Sequence, residues 1–182
     1  MIPEDSPEFE SESEYKLCIM RHGIAAARGE AGYSDDAKRP LTEVGRKKMH
    51  QIAAGLKQAG FTADWILSSP LLRAVETAKI AASALGPLTP VETSETLSPG
   101  ASPESLLSFL ARHKNHRRIL VVGHEPDLSR LAARLIGANR HANLVFKKGG
   151  CCLISFSEFP PKSPGELVWW LTPRILRALA QD

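Results

Sequence analysis

The chain has 182 residues, of which 43% are hydrophobic and 24% charged. This balance is that of a globular protein able to bury a core without disulfide or metal staples, and it excludes a collagen or low-complexity chain. The formal net charge of +3 combines six carboxylates and no Lys or Arg in residues 1–14 with a basic remainder, so we expect an acidic disordered tail at 1–14 and one domain at 15–182.

The first half of the domain predicts two strands and two helices. Residues 15–20 form a short apolar run typical of a strand. Thr42 is a suitable N-cap for a helix whose apolar residues recur at helical spacing. A second strand is expected at 64–67. Ser69 as N-cap and Pro70 as first helical residue then predict a second helix.

The second half continues the alternation. Residues 87–100 are expected to form a loop, and residues 102–112 a helix begun by a Ser-Pro pair. Residues 119–122 are four consecutive β-prone apolar residues, which is typical of a strand covered on both faces. Pro126 opens a fourth helix. Two late strands near a sheet edge and a C-terminal helix follow, at 151–156, at 167–171 and from Pro173.

Strands that alternate with helices predict an α/β protein with a mainly parallel central sheet and helices on both faces, a three-layer α/β/α sandwich. In such sheets, ligands bind beyond the carboxyl ends of the strands. The residues that follow each strand are therefore the candidates for a binding site.

Polar side chains follow the three strongest strands. Arg21 and His22 follow the first, Arg73 lies in the first turn after the second, and His124 follows the third. Parallel strands would open these ends onto one crevice. Guanidinium groups match phosphate oxygens, and a neutral imidazole can attack phosphorus. The set predicts a phosphoryl-transfer site in which one histidine attacks while the other three residues hold the phosphoryl group.

Other chemistries find little support in the residues. There is no His-x-His, no H-E-x-x-H and no dense carboxylate cluster, so no metal or other cofactor is expected. Ser68 and Ser69 lack the G-x-S-x-G elbow of serine hydrolases, and Ser69 is better explained as a helix cap. The histidines outside the site, His50, His113, His116 and His141, are interpreted as structural or solvated.

The cysteines of the chain indicate its cellular location. Cys151 and Cys152 are adjacent and would point to opposite faces of a strand, so we expect buried thiols rather than a disulfide framework. This indicates the reducing cytoplasm.

No apolar run is long enough to cross a bilayer and no signal peptide is evident, so no membrane partner is expected. Basic residues are not interleaved with aromatics, which argues against nucleic acid.

Together these motifs resemble the histidine phosphatase superfamily, which also contains the cofactor-dependent phosphoglycerate mutases. The resemblance spans roughly residues 15–176. Within the superfamily, the motifs are most similar to those of the SixA-type phosphohistidine phosphatase branch. The resemblance implies a phosphoglycerate mutase-like fold in which His22 attacks phosphorus through Nε2, water hydrolyses the phosphohistidine, and Arg21, Arg73 and His124 grip the phosphoryl group without a metal. The segments that carry it are Arg21-His22-Gly23, Arg39-Pro40-Leu41-Thr42 with Gly45, Ser68-Ser69-Pro70 with Arg73, Ala74 and Thr77, Gly123-His124-Glu125-Pro126, and Leu171-Thr172-Pro173.

One departure from the superfamily concerns the general acid. Ester phosphatases and mutases usually place a Glu or Asp between the second arginine and the second histidine. Glu92, Glu95 and Glu104 lie in that interval, without mutase-type surroundings, and Glu95 is the best positional candidate. An alkoxide leaving group needs such a donor, whereas an imidazole can take a proton on its own ring nitrogen.

Because the sequence shows no clear general acid, it favours phosphohistidine on a protein as the substrate. The short segments between motifs, which predict an open site, favour it too. The alternative is a phosphatase of small phosphate esters with the same residues. A third hypothesis, from a different class, is a phosphate-binding module without turnover. A mutase is less favoured because transfer back to a sugar acid needs a pocket that excludes water.

Overall fold

A six-stranded sheet forms the centre of the computed structural model, which describes residues 14–29, 32–86, 88–139 and 142–181. The strand order is β3-β2-β4-β1-β5-β6; β1, β2, β3 and β4 are parallel, and β5 and β6 complete one side in antiparallel pairing. The strands are β1 (Tyr15–Arg21), β2 (Trp65–Ser68), β3 (Val91–Thr93), β4 (Arg118–Gly123), β5 (Cys151–Phe156) and β6 (Glu166–Leu171).

Within the described ranges, five α-helices cover the two faces of the sheet. Leu106 of α3 and Leu131 of α4 join one buried cluster with Ile19 and Val121. Helices α1, α2 and α5 supply the opposite cluster, which packs on Met20 and the other alternate residues of the same strands. Neighbouring strand residues face opposite sides, so this division confirms the three-layer α/β/α architecture. The helices are α1 (Glu43–Gln58), α2 (Leu72–Leu85), α3 (Pro103–Leu110), α4 (Asp127–Leu135) and α5 (Pro173–Leu179).

The structure corrects two details of the predicted elements. Residues Val91–Thr93 form the edge strand β3 where we expected a loop. Helix α2 begins at Leu72 with Leu71 at the cap position and no side-chain cap, so Ser69 is not its N-cap. By contrast, Thr42 caps α1 as predicted, with Oγ1 accepting from the Gly45 N–H at 2.9 Å.

Two cysteines and two histidines predicted to lie outside the site can be located in the structure. Cys151 and Cys152 are buried free thiols in opposite clusters, as expected. His113 and His116, interpreted as structural or solvated, are half-buried in the loop before β4 and pack against Trp65, with ring centroids 5.0 and 4.7 Å away.

Some of the predicted features fall on residues that the structure does not describe. Residues 1–13 of the predicted tail, and His141, lie outside the described residues. Within the described ranges, no helix is both long and apolar enough to cross a membrane.

Candidate active site

The sheet brings three chain segments to one edge. Strand β4 lies between β1 and β2 and is parallel to both, with Arg21 opposite Gly123 and Ser68 opposite Val122. The chain continues this pairing past the strand ends, since the His22 N–H donates to the Gly123 carbonyl at 3.1 Å. The residues that follow β1, β2 and β4 therefore meet at one place, as the sequence predicted.

His22 is buried, with 7% of its surface exposed. Its Nδ1 lies 2.7 Å from the carbonyl oxygen of Gly23. A carbonyl only accepts hydrogen bonds, so Nδ1 carries the hydrogen, and in the neutral ring Nε2 keeps its lone pair. Burial lowers the pKa of His22 to about 3, with the positive charges nearby adding to the shift and the Gly23 hydrogen bond opposing it. His22 is thus neutral at pH 7, with Nε2 in the form that can attack an electrophile.

Gly23 is required by close packing behind His22. A Cβ at this position would lie 2.6 Å from the Cγ of Met49 in α1, too close for any side chain to fit without displacing its neighbours. The Gly23 N–H donates to Thr77 Oγ1 at 3.0 Å, and that hydroxyl donates to the Arg73 carbonyl at 2.7 Å. These contacts tie the turn after β1 to helix α2.

His124 lies beside His22, with the ring centroids 5.0 Å apart. Its Nε2 is 2.8 Å from Ser69 Oγ. Burial, and to a smaller extent the charge of Arg73, lower the pKa of His124 to about 4. Ser69, predicted as a helix cap, instead bonds to a site histidine, a contact that depends on the register between β2 and β4.

Arg73 and Arg21 approach the same edge from α2 and β1. Arg73 is 3% exposed; its Nη1 donates to the Asp36 carbonyl at 2.7 Å and its Nη2 to Asp36 Oδ2 at 2.9 Å. Arg21 Nη1 donates to the Phe146 carbonyl at 2.7 Å. Neither Asp36 nor Phe146 was singled out from the sequence, because loop carboxylates are common and a carbonyl acceptor leaves no mark on residue type.

The two arginines share a further property. Four buried side-chain nitrogen or oxygen atoms lack a hydrogen-bond partner within the described part of the chain, and two of them are Nε of Arg21 and Nε of Arg73. Buried donors are normally satisfied. Two unpaired guanidinium donors beside a neutral imidazole suit an anion with several acceptor oxygens, such as a phosphoryl group. No cluster of three or more metal-ligating side chains occurs among the described residues.

The glutamates proposed as general acid lie on exposed surfaces. Glu95 begins a 3₁₀ turn after β3, is exposed, and its Oε2 accepts from Ser98 Oγ at 2.6 Å. Glu92 and Glu104 are exposed as well. The hydrogen bond to Ser98 satisfies the Glu95 carboxylate locally, in an exposed turn.

Two of the connections at this edge are short, whereas the connection from β1 to α1 spans residues 22–42. Three residues, Ser69–Leu71, join β2 to α2, and three more, His124–Pro126, join β4 to α4. Helix α4 starts directly after the second connection, so its first turn lies next to His124. The Glu125 carboxylate accepts from Ser129 Oγ at 2.7 Å and from the Phe146 N–H at 2.6 Å, which links this connection to the segment that holds Arg21.

Comparison with known proteins identifies relatives of this chain. Residues 17–98 match the family model of the histidine phosphatase superfamily, branch 1. An uncharacterized protein of Picosynechococcus sp. is 39% identical over 138 residues, 74% of this chain and 81% of the relative.

Two solved structures share the fold of this chain. The protein histidine phosphatase SixA complexed with tungstate superimposes with a TM-score of 0.75 at 26% identity, covering 88% of this chain and 99% of SixA. The α-ribazole phosphatase of Shigella flexneri shares the fold, with a TM-score of 0.68 at 21% identity over 87% of this chain and 96% of that protein.

Proposed function

Because the chain is a phosphatase of the histidine phosphatase superfamily that resembles SixA, we propose that it removes phosphoryl groups from phosphohistidine on a protein, through a covalent intermediate on His22. The observation that carries the proposal is a neutral His22 imidazole, its Nε2 free of a proton, that senses the charges of Arg21 and Arg73, whose buried Nε donors lack a partner among the described residues. In this proposal residues 15–182 form the catalytic domain, and the acidic tail at 1–14 is dispensable.

The first step transfers the phosphoryl group to the enzyme. His22 Nε2 donates its lone pair to phosphorus, a P–N bond forms, and the P–N bond to the substrate imidazole breaks. The substrate imidazole leaves as a neutral ring when its other nitrogen carries a proton, so no protein acid is needed. Arg21, Arg73 and His124 stabilise the charge on the phosphoryl oxygens during transfer.

The second step regenerates the enzyme. Water attacks phosphorus, the P–Nε2 bond breaks, and inorganic phosphate leaves with the His22 imidazole neutral again. The hydrogen bond from Nδ1 to the Gly23 carbonyl holds the ring orientation in both steps. It also stabilises the positive charge that develops on the ring while phosphorus is attached.

The exposed, Ser98-bound Glu95 and the three-residue connections at the site support phosphohistidine over alkyl phosphates. An alkoxide needs a proton donor that the predicted set does not include. A phosphorylated side chain on a protein needs an accessible site, and the two short connections, β2 to α2 and β4 to α4, add no inserted segment on their side of the site. SixA, which shares the fold and 26% identity, is described as a protein histidine phosphatase.

The test compares wild type with His22→Ala on phosphohistidine and on an alkyl phosphate, following released phosphate and labelled enzyme. We expect wild type to turn over phosphohistidine, to form an acid-labile phosphoenzyme and to hydrolyse the ester poorly. His22→Ala should lose turnover and labelling while still binding inorganic phosphate, because both arginines remain. His50→Ala, which changes an exposed histidine of α1, is the matched control.

Three outcomes would contradict the proposal. Fast ester hydrolysis with slow phosphohistidine turnover would make the chain a phosphatase of small esters. Near-normal activity of His22→Ala would remove His22 from the chemistry altogether. Stoichiometric phosphate binding without turnover of either compound would indicate a binding module.

A further inference from the structure

Asp36 binds the outer edge of the Arg73 guanidinium. Its backbone carbonyl accepts from Nη1 at 2.7 Å and its Oδ2 accepts from Nη2 at 2.9 Å. Asp36 begins a 3₁₀ turn, Asp36–Lys38, in the connection between β1 and α1. Two hydrogen bonds to two nitrogens fix both the position and the plane of the guanidinium.

The second carboxylate oxygen of Asp36 is occupied by other arginines. Oδ1 accepts from Arg39 Nε at 2.9 Å and from Arg28 Nε at 3.2 Å. Partial burial of Asp36 opposes its ionisation, but the hydrogen bonds from Arg39 and Arg73 outweigh burial and lower the pKa to about 2. Asp36 is therefore an anion near neutral pH, and both of its oxygens are engaged.

These contacts leave Arg73 Nε as a buried donor without a partner in the described chain. We infer that Asp36 is a positioning residue for Arg73. Asp36 occupies the Nη edge of the Arg73 guanidinium and so keeps the Nε–H donor available for the transferring phosphoryl group. This inference rests on the proposed function, in which Arg73 binds that group.

The charge of Asp36 and its positioning role act in opposite directions. A carboxylate next to an anion site repels phosphate and weakens ground-state binding. A guanidinium held in place before the reaction stabilises the transition state without reorganising at that moment. Loss of the carboxylate should therefore lower kcat while leaving the affinity for inorganic phosphate unchanged or higher.

The first test compares Asp36→Asn with the adjacent change Asp35→Asn. Asp35 accepts from the Ala37 N–H at 2.9 Å and lies 3.5 Å from Lys38 Nζ, and asparagine can keep this cap. Both variants remove one negative charge from the same turn, but only Asp36 contacts Arg73. With an aryl phosphate as substrate, we expect kcat of Asp36→Asn to fall by at least about 10-fold, since small misplacements of a site group cost up to about 100-fold. The inhibition constant for inorganic phosphate should not rise, and Asp35→Asn should match wild type.

A double-mutant cycle separates positioning from a general effect on the loop. In an Arg73→Ala background there is no guanidinium left to position, so adding Asp36→Asn should change kcat by less than about twofold. Arg73→Lys provides a second background in case the buried alanine variant does not fold. Thermal unfolding of each variant checks that the fold is retained.

The outcomes distinguish this inference from the proposed function. An equal loss of kcat in wild-type and Arg73-variant backgrounds would show that Asp36 acts through the loop and its other arginines, and would overturn the inference. So would wild-type activity of Asp36→Asn, or a weaker affinity for phosphate that accounts for the whole loss. An aryl phosphate has a good leaving group, so the cycle can support or overturn the role of Asp36 even if phosphohistidine proves not to be the substrate.

Discussion

The imidazole rings of His22 and His124 lie with their centroids 5.0 Å apart and their planes inclined by 53°. Burial lowers the pKa of both rings, to about 3 for His22 and about 4 for His124. Their partners differ, because His22 binds a carbonyl through Nδ1 whereas His124 Nε2 binds the Ser69 hydroxyl. The same residue type thus has two environments, and the one at His22 leaves Nε2 unprotonated for attack.

The activity of the free enzyme should be insensitive to pH across the range where an ordinary histidine titrates. Protonation of His22 would remove the nucleophile, but its pKa lies at about 3 instead of 6.5, so the ring stays neutral between pH 5 and pH 8. We expect kcat/KM for an aryl phosphate to show no acid limb near 6.5 once the substrate's own ionisation is taken into account, because this ratio reports the free enzyme. A decline centred at 6.5 would contradict the buried, neutral state of His22.

Stability is the control for that profile. Below pH 6.5 the unfolded chain protonates these two histidines while the folded chain does not, so the unfolded state binds more protons. The contribution of the two neutral rings to the free energy of unfolding is therefore fully present above pH 6.5. It is lost as the pH falls towards the folded-state pKa values of about 3 for His22 and about 4 for His124. Thermal unfolding midpoints should therefore fall from pH 7 to pH 4, and rates should be read only where the protein remains folded.

Arg73→Ala should weaken phosphate binding and slow the chemistry together. The change removes a buried guanidinium whose Nε has no partner within the described residues, and loss of one charge-stabilising donor typically costs about 100- to 1,000-fold in kcat. Steady-state kinetics and the inhibition constant for phosphate measure the two effects. Arg134→Ala, on the exposed side of α4, is the control. An unchanged affinity for phosphate would show that Arg73 does not contact the bound anion.

Glu95→Gln should leave both phosphohistidine and alkyl phosphate hydrolysis unchanged. Its carboxylate is exposed and bound to Ser98, whereas loss of a true general acid costs about 100- to 10,000-fold. Initial rates on the two substrates, with Glu104→Gln as the matched control, measure the effect. A selective loss of ester hydrolysis would identify Glu95 as the acid and indicate that esters are natural substrates.

Deletion of residues 1–12 should leave kcat/KM unchanged at matched ionic strength. The hydrogen bonds described at the site join residues between Arg21 and Phe146, so the deleted segment supplies none of them. The comparison uses the full chain as control over a series of salt concentrations. A large drop that persists at high salt would show that the acidic segment contributes to the site.

Several features could not be predicted, for identifiable physical reasons. Strand β3 has three residues and exposed side chains at Glu92 and Thr93, so it lacks the apolar pattern by which strands are recognised. The bond between Ser69 and His124 joins residues 55 positions apart. The pairing of Asp36 with Arg73 joins residues 37 positions apart. Local sequence carries no signal for contacts of this kind.

The α/β/α layering and the place of the site could be read from the sequence, because apolar periodicity and the order of strands and helices are local properties, and parallel strands open their ends on one edge. It therefore indicated Arg21, His22, Arg73 and His124 as neighbours. The tautomer of His22, the partner of His124 and the contact of Asp36 with Arg73 became visible in the folded chain alone. Each of these depends on sheet register and on loop packing, which bring together groups distant in sequence at hydrogen-bonding distance.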